Sequence, residues 1–163
     1  LLSLFFLSIN RQPRSYFNMA TTTFNAAAAN TPNAAQDTLS LVGRVLLALL
    51  FVPAGFSKLM GFAGTVGYIS SVGAPLPQVA AVIAIIVELG LGLMLLVGFK
   101  TRLAAVVLAV FTVAASVLFH NYWSMPADKA FVNQLMFFKN IAVAGGLLAF
   151  VAFGAGRFSI DKR

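Results

Sequence analysis

Cysteine is absent from this 163-residue chain. That excludes disulfides, thiolate-ligated zinc, cysteine-held iron-sulfur clusters and a thiol relay. Histidine occurs once, so a recognisable multi-histidine metal site is excluded as well, and no metal is expected. Charged residues make up only 9% of the chain, against about 25% in ordinary soluble domains. A water-soluble globular domain cannot be clothed with so little charge. No Gly-rich phosphate loop, dinucleotide fingerprint or paired-histidine zinc helix is found, which argues against nucleotide-driven chemistry in the chain. Period-2 alternation is missing too, and with it the mark of a membrane barrel strand.

What the chain does have is apolar length, with 60% of its residues hydrophobic. A spanning helix needs about 20 mostly apolar residues. Four segments qualify: Leu39 to Leu59, Gln78 to Gly98, Leu103 to Trp123 and Val132 to Phe153. Hydrocarbon offers no water to unpaired backbone groups, so these segments are expected as continuous helices. The expected fold is an all-α integral membrane four-helix up-and-down bundle. Residues 39–156 form its domain, 157–163 a short basic cytoplasmic tail, and 1–38 a disordered extension rich in Ala, Thr and Asn. Translation is expected to begin at Met19, which makes residues 1–18 an upstream extension. Residues 60–77, dense in Gly and Pro, read as a loop or a short re-entrant piece.

The net charge of +7 comes from basic residues scattered between apolar runs, with no stripe to follow a phosphate backbone, so nucleic acid is not an expected partner. Positive charge instead sets orientation. With both termini inside, the cytoplasmic face receives Arg11, Arg14, Arg44, Lys100, Arg102, Arg157, Lys162 and Arg163, and the outer side only Lys58, Lys129 and Lys139. Both termini are therefore expected in the cytoplasm.

An ionisable group at mid-membrane costs roughly 2.5 to 3.5 kcal/mol on the insertion scale and calls for a partner or a purpose. Glu88 lies ten residues from both Gln78 and Gly98, at the expected bilayer midplane. Lys139, whose long side chain can reach down from the outer side, is its first expected ion-pair partner. Arg44 is a weaker one, because it stands near enough to the interface to snorkel. Lys58 is assigned to the outer end of the first helix. Arg44, Ala48, Phe51, Gly55 and Lys58 share one helical face, as do Ile85, Glu88, Gly92 and Leu95.

His120 closes the third segment beside Tyr122 and Trp123, with Lys58, Lys139 and Asn140 at comparable depth. Together with Glu88 these outline a polar pocket near the outer face, suited to a quinone headgroup whose carbonyl oxygens accept hydrogen bonds from His and Lys. The plainer readings stand beside this one: Glu88 and its partner as a structural pair fixing helix register, His120 as an interfacial anchor, Tyr122 and Trp123 as belt aromatics.

The order and spacing of these residues resemble the DoxX family of small four-helix bacterial membrane proteins. The resemblance rests on Gly43-Arg44, Phe51, Gly55, Lys58, Gly73, Pro75, Glu88, Gly98, Arg102, His120, Trp123, the run Phe138-Lys139-Asn140, Gly145-Gly146-Leu147, and a Gly-rich turn before Ser159-Ile160-Asp161. It implies a plasma-membrane location. Some relatives are subunits of thiosulfate:quinone oxidoreductase, and others join oxidoreductase complexes that handle oxidative stress. The expected function is a redox-associated accessory subunit that binds quinone or another lipophilic substrate beside an oxidoreductase partner. A non-enzymatic scaffold or assembly subunit is the alternative, a small-solute permease the third option, and a homo-oligomer is compatible with each.

Overall fold

The computed structural model describes residues 34–162, which contain helices and turns and no strand. The extension's first 33 residues, Met19 among them, lie outside this range. Four helices are long and apolar enough to cross a membrane: α1 (Ala34–Met60), α3 (Pro77–Val97), α4 (Thr101–Phe119) and α5 (Ala127–Phe153), with the short α2 (Phe62–Ser71) between the first two. The all-helical membrane architecture is as the hydropathy pattern requires.

Helix boundaries move where polar residues join helices that hydropathy alone truncates. Residues 34–38, expected in the extension, are the first turns of α1. Helix α5 starts five residues before Val132, because Pro126 opens it and its first turn tolerates Asp128 and Lys129. Helix α4 ends at Phe119, short of the expected Trp123. The His120 amide donates the last helical bond to Ser116 O at 3.0 Å, and a 3-10 turn, Tyr122–Ser124, follows.

Packing runs from α1 to α3, from α3 to α4 and from α4 to α5, while α2 folds against the first half of α3. The core joins Phe51, Val87, Leu95, Leu108, Ala144 and Leu147. Glycine governs the α1–α3 contact. A Cβ on Gly55 would stand 2.6 Å from Leu89 N, and one on Gly92 would stand 3.1 Å from Phe51 Cβ, so the two backbones touch where side chains would hold them apart. Opposite Gly55, α3 widens into a π-helical stretch, Ile86–Leu91, that contains Glu88.

At the basic end, the helix termini are satisfied by groups distant in sequence. Gly98, at φ +70°, turns the chain out of α3, and Phe99 N returns to Met94 O at 2.9 Å. The next carbonyls are taken in turn. Leu96 O accepts from Arg44 Nη1 at 2.8 Å, Val97 O from Ile160 N at 3.1 Å, and Gly98 O from Asp161 N at 2.9 Å. Asp161 then accepts from Lys100 N at 2.9 Å and Thr101 N at 2.8 Å, capping α4. Residues 157–162, read from sequence as a tail, are thus docked on the ends of α3 and α4.

Candidate functional site

Towards the opposite end, α2, α3 and α4 form the main walls of a partly open cavity of about 400 Å³. Its wall is mostly apolar, with small residues where α3 and α4 face it, Ala80 and Ala84 from α3 and Ala114 and Ala115 from α4. Polar groups enter from four directions. Lys58 comes from the end of α1, Glu88 from the π stretch of α3, His120 from the end of α4 and Asn140 from α5. Tyr68 of α2 stacks on Phe119 with ring centroids 5.6 Å apart, and both rings line the space.

Glu88 is buried, and its Oε2 accepts from Lys58 Nζ at 2.6 Å. This is the ion pair among the described residues. The partner expected first, Lys139, is not there: it is exposed on α5, with its Nζ 3.4 Å from Met136 Sδ. The reason lies in the packing order, since α1 lies directly on the Glu88 stretch whereas α5 packs on α4. A lysine side chain leaves its helix pointing back toward the N-terminus, which brings the Lys58 ammonium down to the carboxylate.

Arg44 is not a partner of Glu88 either. It is fully buried, and its guanidinium donates to Leu96 O and Phe158 O at the basic end. It does not snorkel, because the 154–162 segment folds over it. Fourteen residues of α1, roughly 21 Å, separate it from Lys58. Trp123 also stands apart from the cavity. It packs edge-on against Tyr122 at 5.2 Å and Phe137 at 5.6 Å and is mostly exposed.

The His120 ring is oriented by Asn133, whose Oδ1 lies 3.1 Å from Nδ1. Asn133 Nδ2 donates to Lys129 O at 3.0 Å, which leaves Oδ1 as the acceptor and puts a proton on His120 Nδ1. In the neutral ring Nε2 is then an acceptor. The cavity therefore offers a donor at Lys58, acceptors at Glu88 and His120, and both at the Asn140 amide. Among the described residues, no three His, Asp or Glu side chains gather where they could hold a metal ion.

Of the pocket residues expected from sequence, Lys58, Glu88, His120 and Asn140 line one cavity, and Lys139 and Trp123 do not. Thr65 and Tyr68 were not foreseen. The glycine and proline content of their segment points to a loop or a short re-entrant piece, and the helical spacing of Phe62, Val66 and Ile69 is what marks α2 within it.

Comparison with known proteins agrees with this architecture. The sequence pattern of the DoxX family matches residues 39–121. The inner membrane protein YphA of Escherichia coli strain K12 is 40% identical over 130 residues, covering 80% of this chain and 93% of its own length. The inner membrane protein YqjF of the same organism is also 40% identical over 130 residues, covering 78% of this chain and 92% of its own. A Surfeit locus protein 4 homologue of Schizosaccharomyces pombe is 32% identical over 72 residues, 43% of this chain and 24% of that longer protein. No solved structure matches the chain. With four membrane-length helices and relatives of the inner membrane spanning nearly their whole length, this chain is a multi-pass bacterial inner-membrane protein that belongs to the DoxX family.

Proposed function

We propose that this protein is a redox-associated accessory subunit whose cavity receives a quinone, or a comparable lipophilic molecule with a polar head, beside an oxidoreductase partner. One observation carries the reading: Lys58, Glu88, His120 and Asn140, from four separate helices, converge on a single apolar cavity. Its volume of about 400 Å³ lies in the range of small-molecule sites, which runs from about 300 to 1,000 Å³. The carbonyl oxygens of a quinone accept from Lys58 and the Asn140 amide. The hydroxyl of its reduced form donates to His120 Nε2, so both members of the couple find partners. The ring and its first isoprenoid carbons lie against Ala84, Ala115 and Phe111.

The test is mass spectrometry of lipids that copurify with the wild type and with the Glu88→Gln and His120→Ala variants in mild detergent. Quinone enriched over the bulk membrane extract in the wild type, and lost in variants that remain folded, is the expected result. Equal quinone content in all three, at the level of the bulk extract, overturns the reading.

A structural reading is favoured by a different observation, the close approach of Gly55 to Leu89 beside the ion pair. On that reading Lys58 and Glu88 fix the register of α1 on α3, and the protein serves as a membrane scaffold.

A further inference from the structure

Lys139 is a charge at membrane depth that the fold leaves without a carboxylate. It lies seven residues beyond Val132, where the apolar span begins, and fourteen before Phe153, roughly 10 and 21 Å along α5. Neither end is within reach of its four-carbon stem. Among the described residues its Nζ has a hydrogen-bond contact with the Met136 thioether, a weak acceptor, 3.4 Å away.

The sequence contains four acidic residues, Asp37, Glu88, Asp128 and Asp161. Asp37 accepts from Arg157 N, and Asp161 caps α4, both at the basic end. Asp128 stands eleven residues from Lys139, roughly 16 Å toward the other end of α5. Glu88 is held by Lys58. A second copy in the same orientation presents the same four groups at the same depths and adds a second Lys139, so it cannot neutralise the first.

The helix face around this lysine is also open. Leu135, Lys139, Ala142 and Gly146 follow at helical steps, and all four are exposed. A Cβ on Gly146 would meet nothing within 4 Å. Helix α5 is the least covered of the spans, with 11% of its apolar stretch buried against 33% for the span containing α4. Small residues on such a face let a second backbone come close.

We propose that this face of α5 docks a transmembrane helix of a different membrane protein, one that places an Asp or Glu opposite Lys139 and runs its backbone along Ala142 and Gly146. This names a surface for a partner and does not depend on what the cavity holds.

The full-length chain, labelled with a fluorescent donor in phosphatidylcholine vesicles, is titrated with acceptor-labelled leucine-alanine helices of about 23 residues carrying Glu or Leu at the centre. The Glu peptide is expected to bind about ten-fold tighter than the Leu peptide. Lys139→Met abolishes that preference. Gly146→Ile, which fills open space and leaves thermal stability unchanged, weakens the Glu peptide. Equal binding of the two peptides to the wild type overturns the proposal, as does a preference that survives Lys139→Met. Energy transfer between two labelled copies of the wild type that Gly146→Ile removes also overturns it, by making a second copy the occupant.

Discussion

Glu88 and Lys58 illustrate how a single pairing depends on both members. A buried carboxylate deprived of its ammonium keeps its desolvation penalty and loses the compensating attraction. Lys58→Met alone and Glu88→Leu alone are each expected to destabilise the protein by about 2 kcal/mol, a value kept low because the Lys58 side chain is partly exposed. The double variant is expected to recover most of that loss. Thermal unfolding in detergent reads the three variants, and a double variant as unstable as the sum of the singles would show that the pair is not coupled. At the basic end, Arg44→Lys is expected to cost about 2 kcal/mol or more in the same assay. An ammonium cannot span Leu96 O and Phe158 O as the planar guanidinium does. The importance of Glu88 was legible in the sequence, because a carboxylate amid apolar residues announces itself. Its partner was not, since counting residues from span ends gives backbone depth and ignores both the backward lean of lysine and the order in which helices pack.

At the level of elements, the spans were readable from hydropathy because lipid imposes length and apolarity directly. The π stretch was not, because no composition marks Ile86–Leu91; it becomes visible only where Gly55 meets Leu89. Its wider turn sets the direction in which Glu88 leaves α3. Deleting Gly90, which has open space around it, is expected to return this stretch to regular α-helix and rotate Glu88 by about 100° away from α1. Since the chain has no cysteine, the test has a clean background. Lys58→Cys combined with Glu88→Cys is expected to be bridged by a short bis-methanethiosulfonate reagent, whose spacer replaces the reach of the two native side chains, in the otherwise intact chain, and not after the deletion. Cross-linking of equal yield in both would show that the π stretch does not aim residue 88. Gly55→Ala belongs to the same contact and is expected to destabilise by about 1 to 3 kcal/mol, because the added Cβ faces backbone.

For the whole molecule, the asymmetry of basic residues predicts both termini on the cytoplasmic side. A lone cysteine at Met125 is expected to react with a membrane-impermeant maleimide on spheroplasts, and one at Lys162 only after lysis; the opposite pattern would invert the protein. The two ends of the bundle differ in how they are closed. One is opened by a cavity between α2, α3 and α4, whereas the other is tied by backbone hydrogen bonds and the buried Arg44. The second closure carries a consequence for biogenesis. Thr101 and the carboxylate that caps it are 60 residues apart, with all of α5 between them. During synthesis, α4 therefore enters the membrane with its first amides uncapped, and Asp161 reaches them only after α5 has been made. The chain's chronology is thus written into its architecture: a segment translated after α5 is the clasp that fastens helices made long before it.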